Sequence, residues 1–449
     1  MNSEQSLARR ASMGRRVAYL GLFAMMAGDT VRYLVDWAGW GTLIGLLFIW
    51  ASYLFIKGEP KPAIKQMPLP LKLILGLMLI SSLWASTPAL TALIAVAQIA
   101  QTMFGLYLAV SYSWRELLRI FGNTLRFILG TSIVFEFIAA AFVRGPIPPI
   151  FANNLSGDQH AWTRGHLFDG ERIQGILGNS NLLAALAMLG IVIFAIEYVV
   201  NNDRRWIYLS SLLLAGGTVY LSKSAGVFFA VLATAIAATV ALFVEGRDRT
   251  TRHKTYRWVW LVAGVIGGLA ITFRVALFTF IGKSPDMTGR TKIWKLVLGL
   301  IQQRPIQGWG WVSYWVPGIK PYAGLVRLEG IPYYQAHNAF LDAWLQIGIV
   351  GVLLLLWLVV QNFVRLWRLA VRHTNPLYLW PMLVFIALLS QNLTESRMLL
   401  EYGWVIVVML GVKVADPIES LEPGDGELKR VRLLDLGLQR NRSRQRKDH

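Results

Sequence analysis

Apolar runs long enough to cross a lipid bilayer recur along almost the whole chain. Residues 90–112, 181–200 and 226–244 are examples, and each is close to the roughly twenty residues that a helix needs to traverse a hydrocarbon core about 30 Å thick. In lipid, only helices and closed barrels satisfy their own backbone hydrogen bonds, and continuous apolar runs favour helices. The pattern predicts an all-α polytopic membrane protein with about twelve transmembrane helices and no room for a soluble domain.

Short basic clusters and two longer polar segments separate the predicted spans. The spans are residues 17–35, 40–56, 71–84, 90–112, 121–143, 181–200, 207–221, 226–244, 258–280, 348–364, 378–391 and 398–412. Because short cytoplasmic loops carry an excess of Lys and Arg, the basic tails at 1–16 and 416–449 are predicted to be cytoplasmic, on either side of a transmembrane domain at 17–415. Counting spans then places the polar segments 144–180 and 281–336 on the outer side.

The formal net charge of +19 raises the question of nucleic-acid binding. The basic residues lie mostly in short clusters between apolar runs, as cytoplasmic loops require, so nucleic acid is not an expected partner. The chain has no cysteine, which excludes disulfides and thiolate metal sites.

Arginine recurs on the connections that are predicted to lie outside, against the usual charge bias. The set comprises Arg144, Arg164, Arg172, Arg290, Arg304 and Arg397. Guanidinium groups near the membrane are costly unless they are paired, and they bind phosphate oxygens bidentately. A lipid-linked pyrophosphate is therefore one predicted ligand. The alternative is pairing with local carboxylates, such as Asp169 and Glu395, or with lipid headgroups.

Two of these arginines stand beside predicted helix starts. A helical pattern runs from Arg290 to Gln303, and its free amides would also attract an anion, although the same pattern suits an amphipathic helix lying on the membrane. Arg172 precedes a polar stretch ending at Asn181, whose amide could contact a sugar or phosphate or simply cap a helix. Lys223, at the outer end of a span, is a further candidate that snorkelling explains about as well.

The second outer segment is also rich in aromatic side chains. They include Trp309, Trp311, Trp315, Tyr333 and Tyr334. Such residues could stack on sugars or form an interfacial belt, and the belt is the default expectation.

The stretch from His337 to Gly351 is the best candidate for chemistry. His337 and Asn338 stand at the mouth of an apolar helix, and Gly348 and Gly351 are predicted to share one face further along it. A histidine where a membrane helix meets water could act as a general base, or could merely cap the helix. The reserve bases are Asp286, Glu329 and Glu395.

The spacing of His337-Asn338, Gly348 and Gly351, the long polar segment before the histidine, Gly289-Arg290 and the Arg172 to Asn181 stretch resemble bacterial O-antigen ligases. These form a superfamily with O-antigen polymerases and protein O-oligosaccharyltransferases. The resemblance implies a membrane glycosyltransferase of the class C type, with short helices in a long periplasmic loop and an active site facing the periplasm. It also implies metal-independent, inverting transfer, without a cofactor, of O-antigen from undecaprenyl pyrophosphate to a sugar hydroxyl of lipid A-core in the bacterial inner membrane.

On this resemblance His337 is the catalytic base of the transmembrane catalytic domain, and no residue binds a metal. The predicted substrate-binding residues are Arg164, Arg172, Asn181, Lys223, Arg290, Asn338 and Arg397.

Three alternatives stay open. An O-antigen polymerase would use two copies of the lipid-linked glycan, and the sequence does not distinguish it from a ligase. A protein O-oligosaccharyltransferase often carries a sizeable extra outer domain, whereas only a short basic tail follows the last span here. A secondary transporter would show two related halves and ionisable residues near mid-membrane; no convincing repeat is visible, and the charges concentrate at span ends. The ligase is the favoured prediction.

Overall fold

The chain is almost entirely helical in the computed structural model, which describes residues 3–57, 67–150, 161–273, 289–328 and 331–415. The helices are α1 (Ser3–Met26), α2 (Gly28–Lys57), α3 (Leu69–Ile80), α4 (Pro88–Ser111), α5 (Trp114–Ile138), α6 (Ser180–Val200), α7 (Arg205–Ser222), α8 (Ala225–Val244), α9 (Arg249–Thr272), α10 (Arg290–Gln303), α11 (Ala339–Arg372), α12 (Leu379–Gln391) and α13 (Glu401–Lys413). Two-residue strands β1 (Arg327–Leu328) and β2 (Ile331–Pro332) pair antiparallel. The all-α prediction is confirmed.

Within this described part, six helices are long and apolar enough to cross a membrane. They are Gly28–Ile56, Pro88–Ser111, Trp114–Val143, Ser180–Val200, Ala225–Val244 and Ala339–Arg372. Two shorter apolar helices cover Leu69–Leu83 and Pro376–Gln391. The chain is thus a multi-pass membrane protein, while the number of twelve spans stays a prediction. The tail at 416–449 and the reserve bases Asp286 and Glu329 lie outside the described residues.

The first two predicted spans have different boundaries in the structure. Instead of a break between residues 35 and 40, α1 ends at Met26 and α2 begins at Gly28, with a non-helical residue at Asp36 (φ 60°, ψ 177°). The beginning of α2 lies against α13, because Arg32 is only 7% exposed and pairs with Glu401 of α13 at 2.7 Å. A hydropathy pattern averages over such a break, since apolar residues continue on both sides of it.

The last two helices form the centre of the molecule. Residues 401–412 of α13 are all buried, and so are residues 379–388 of α12. Surrounding helices, with α4 and α8 making the most extensive contacts, enclose this pair. The turn between α12 and α13, residues 392–400, is therefore supported at both ends by buried helices. This turn contains the side chains that contact the region of His337.

Helix α11 breaks at Gly348. The loop that follows α10, which contains Pro305, Ile306 and Trp309, packs against this break. Gly348 has φ 69° and ψ −173°, and a Cβ placed on it would lie 1.8 Å from the carbonyl oxygen of Ile306. Backbone bonds from Trp309 N to Leu345 O (3.0 Å) and from Ile349 N to Pro305 O (3.0 Å) link the loop to the helix. The prediction that Gly348 and Gly351 share one helical face is wrong, because Gly348 serves the break instead.

The aromatic outer segment forms a second apolar cluster with α10. Its buried members are Ile293, Val297, Ile301, Val312, Trp315, Tyr322, Val326, Ala336 and Leu345. Trp311 and Trp315 are 0% and 2% exposed, so these two form neither an interfacial belt nor a sugar platform. The indole Nε1 of Trp315 donates to Asp342 of α11 at 2.9 Å, which joins the outer segment to that helix.

Candidate active site

His337 occupies a strained backbone position directly before α11. Its φ is 52°, in the left-handed region that non-glycine residues rarely adopt. Backbone hydrogen bonds fix the chain on both sides: Ala336 N donates to Asp342 Oδ2 (2.9 Å), and Asn338 N donates to Ser396 Oγ (3.1 Å). Ser396 Oγ also donates to Asp342. Strain that the surroundings maintain in this way is common at functional sites.

Glu395 connects His337 to Arg290. The Nδ1 atom of His337 lies 2.9 Å from Glu395 Oε2, and Nη2 of Arg290 lies 3.3 Å from Oε1 of the same carboxylate. Gln335 Nε2 donates to Oε2 at 3.2 Å, and Arg290 Nε donates to the carbonyl of Thr394 at 3.2 Å. The histidine and an arginine that are 47 positions apart in sequence, residues 337 and 290, thus share one carboxylate.

The charge of Glu395 determines which histidine nitrogen is available. Burial would raise its pKa, but His337, Arg397 and Arg290 together outweigh burial and lower it to about 2. An ionised carboxylate only accepts hydrogen bonds, so Nδ1 of His337 must donate. In the neutral imidazole the lone pair then resides on Nε2. The side chain is 17% exposed, which leaves it accessible to a substrate, and Tyr333 packs against its ring at 5.5 Å.

Asn338 caps α11. Its Oδ1 accepts from the backbone amides of Phe340 (3.0 Å) and Leu341 (3.1 Å), which otherwise lack helical partners. The side-chain oxygen therefore caps the helix, as the capping alternative predicts. The amide nitrogen is left to contact a substrate.

Arg172, Asn181 and Ser224 form a second polar group at the starts of α6 and α8. Arg172 Nη2 donates to Asn181 Oδ1 at 2.6 Å, its Nε donates to the carbonyl of Ser222 at 3.0 Å, and Ser224 Oγ donates to the same Asn181 oxygen at 3.0 Å. Burial lowers the pKa of Arg172, and the positive charges of Arg164 and Arg290 lower it further. Two of the predicted arginines, Arg164 and Arg290, therefore act electrostatically on the third, Arg172, in the folded chain.

Lys223 lies beside this group. It ends α7 with φ 47°, and its ammonium donates to the carbonyl of Gly170 in the first outer segment. Through that contact, Lys223 has a structural role, because it holds the loop that precedes Arg172. Asp169, one of the carboxylates considered as an arginine partner, instead pairs with His166 at 2.6 Å.

Arg397 belongs to a separate buried network. Its Nη1 lies 3.1 Å from Tyr314 Oη and 3.3 Å from Glu401 Oε2, while Oε1 of Glu401 pairs with Arg32. This matches the carboxylate-pairing alternative, although Arg397 still contributes to the field at Glu395. Arg32 in turn pairs with Asp29 and lies over the rings of Trp37 (4.5 Å) and Trp40 (4.8 Å).

Sequence reasoning missed most of the partners that organise these groups. They are Tyr314, Gln335, Asp342, Ser396 and Glu401, together with the contact of Glu395 to His337. The pair Asp29 and Arg32 inside an apolar run was a usable signal, because ionisable residues in such runs are seldom neutral in function. The other contacts join residues that are far apart in the sequence. No local spacing of residues therefore indicates that they are partners.

Part of the chain is similar in sequence to known proteins. A family model described as O-antigen ligase matches residues 175–356, a range that includes Asn181, Arg290 and His337 but not Glu395. The exopolysaccharide production protein ExoQ of Rhizobium meliloti (strain 1021) is 28% identical over 202 residues, covering 42% of this chain and 45% of the relative. The match thus spans less than half of that relative's length. Residues 175–356, the central part of the chain, are thus similar to the O-antigen ligase family.

Proposed function

We propose that this protein is an O-antigen ligase of the bacterial inner membrane. It transfers O-antigen polysaccharide from undecaprenyl pyrophosphate to a sugar hydroxyl of lipid A-core, with inversion and without a metal ion. The observation that carries the proposal is the 2.9 Å contact between His337 Nδ1 and a Glu395 carboxylate that Arg290 also contacts. The proposal includes about twelve spans, cytoplasmic tails at 1–16 and 416–449, and segments 144–180 and 281–336 on the periplasmic side of the catalytic domain.

His337 acts as the general base. Its Nε2 removes the proton of the acceptor hydroxyl as that oxygen attacks the anomeric carbon of the donor, and the bond from this carbon to the pyrophosphate oxygen breaks. A single displacement of this kind inverts the anomeric centre. Glu395 holds the imidazole in the required tautomer and stabilises the positive charge that it acquires, as a base and its orienting carboxylate do in other enzymes.

The arginines stabilise the leaving group. Negative charge grows on the pyrophosphate as the glycosidic bond breaks, and fixed cations aimed at that charge lower the barrier. Arg164 and Arg290 both act electrostatically on Arg172, so these three cations from separate segments are the groups that would stabilise the leaving diphosphate. Asn181 keeps the Arg172 guanidinium in place.

The test is reconstitution of the purified full-length chain in nanodiscs with undecaprenyl-linked glycan, lipid A-core and a metal chelator. We expect transfer by the native protein and none by His337→Ala. The matched control is His253→Ala, which removes an exposed histidine of α9 that contacts only Arg249 at 3.3 Å among the described residues. Substantial transfer by His337→Ala, or activity that requires a divalent ion, would contradict the proposal.

An O-antigen polymerase is the second candidate, and the similarity to an exopolysaccharide production protein favours it. A polymerase would lengthen the lipid-linked glycan when supplied with donor alone. A ligase would leave the donor unchanged until lipid A-core is added. Electrophoresis of the donor-only reaction therefore distinguishes the two.

A further inference from the structure

A groove of about 600 Å³ runs along the exposed side of α10. Its walls include Lys292, Lys295, Leu296, Leu300, Gln303 and Leu325. The opposite side of the helix, with Ile293, Val297 and Ile301, is buried in the second apolar cluster. The groove is thus a stable feature of the packed helix, since the helix cannot rotate without exposing that cluster.

The groove combines positive charge with apolar surface. Lys292 and Lys295 are exposed and, at i and i+3, project on the same side of α10. Among the residues that the structure describes, no acidic side chain lines the groove, and the sequence of α10 contains none. Over the ranges that the structure covers, neither ammonium forms an ion pair. Leu296, 45% exposed, adds apolar surface between the charges and the far wall.

Both walls of the groove are connected by contacts to residues that lie next to His337. On the α10 side, Trp294, which lies between the two lysines in sequence, donates from Nε1 to the carbonyl of Ala336 at 2.9 Å, one residue before His337. On the other side, Leu325 is followed by Val326, whose carbonyl accepts from the amide of Tyr333 at 3.1 Å. Tyr333 packs against the His337 ring. The two walls of the groove are therefore joined, through these contacts, to the residues that flank His337.

We propose that this groove binds the acceptor, an anionic glycolipid whose phosphate groups lie against Lys292 and Lys295 and whose apolar surface covers the leucines. This inference rests on the proposed ligase function. The donor pyrophosphate belongs with Arg164, Arg172 and Arg290, so a second cationic site is what a phosphorylated acceptor needs.

The experiment compares Lys292→Gln/Lys295→Gln with the native protein on intact and dephosphorylated lipid A-core, in neutral nanodiscs. We expect the double variant to raise the KM for intact acceptor roughly tenfold, the range that two exposed charge contacts support. The kcat and the KM for donor should stay unchanged. Dephosphorylation should raise the KM of the native protein by a similar factor and have no further effect on the variant. Lys254→Gln, which removes an exposed lysine of α9, is the control.

The possible results separate the two proposals. An equal effect of the double variant on both acceptors, or no effect on either, overturns the acceptor groove while leaving the ligase intact. An effect that appears only in nanodiscs of anionic lipid assigns the lysines to the membrane surface and also overturns it. If the native protein does not use lipid A-core at all, the ligase proposal fails, and the groove proposal fails with it. Binding of labelled lipid A-core without donor gives a second measurement that does not depend on turnover.

Discussion

Replacing Glu395 with glutamine removes the charge that joins the base to Arg290 while keeping the shape of the side chain. The carboxylate is 8% exposed and contacts Arg290 at 3.3 Å, His337 at 2.9 Å and Gln335 at 3.2 Å. A glutamine retains one acceptor oxygen, but it removes the negative charge that faces the partly buried Arg290 guanidinium, which is 18% exposed. It also no longer compels Nδ1 of His337 to donate, so Nε2 is no longer fixed as the basic nitrogen.

The size of the effect follows from the pKa of Glu395. Its folded value is about 2 against an ordinary 4.5, and a difference of roughly 2.5 units at 1.36 kcal/mol each is about 3 kcal/mol. Because the folded pKa is depressed, this stabilisation is present above about pH 4.5 and disappears as the pH falls toward 2. The glutamine variant should lack it at pH 7. Transfer should fall on the order of 10²–10⁴-fold, the range that a well-placed general base contributes.

The assay pairs thermal unfolding with kcat at a temperature where both proteins are folded. Glu197→Gln is the matched control, since Glu197 is 4% exposed and forms a buried pair with Arg126 that does not reach His337. It should lose stability and retain kcat, whereas Glu395→Gln should lose both. The reasoning is refuted if Glu395→Gln keeps kcat within a few-fold of native, or if the two variants lose kcat equally.

Three further substitutions test other parts of the structure. Gly348→Ala should destabilise the fold by at least about 3 kcal/mol in thermal unfolding, because the new Cβ meets the Ile306 carbonyl at 1.8 Å; Gly267→Ala, in open space on α9, should not destabilise it. Arg172→Lys should raise the KM for donor about tenfold with a smaller change in kcat, since a lysine loses the guanidinium fork that Asn181 orients; an unchanged KM would remove Arg172 from the donor site. Arg32→Met should cost roughly 3–5 kcal/mol of stability by leaving the Glu401 carboxylate short of a partner, yet leave kcat intact; a loss of kcat without a loss of stability would contradict a structural role.

Local patterns in the sequence were enough to place several apolar helices and the start of the site, but they misplaced the boundary between α1 and α2 and did not indicate the break at Gly348. The α10 start at Arg290 and the His337-Asn338 entrance to α11 appear where the patterns predict them. Apolar run length, helix caps and turn residues act over a few positions, so a single sequence records them.

The contacts that organise the site act over much longer separations. Glu395 meets His337 across 58 positions, and Arg32 meets Glu401 across 369. Nothing in the spacing of these residues indicates that they are partners, because packing of the α12 and α13 pair brings them together. For the same reason the burial of Trp311 and Trp315 was not predictable, since an aromatic residue that packs a loop onto a helix has the same local sequence as one that faces lipid.

The turn between α12 and α13 connects the proposed base with the proposed donor site. Glu395 contacts His337 and Arg290, Ser396 holds the amide of Asn338, and Arg397 reaches Tyr314 and Glu401. Three successive residues thus fix the histidine, a donor-side arginine and the aromatic outer segment with respect to one another. A shift of this turn would therefore displace Nε2 and the Arg290 guanidinium together. Because the reaction needs the acceptor oxygen and the leaving pyrophosphate on opposite sides of one carbon, a fixed separation between these two groups is what in-line displacement requires.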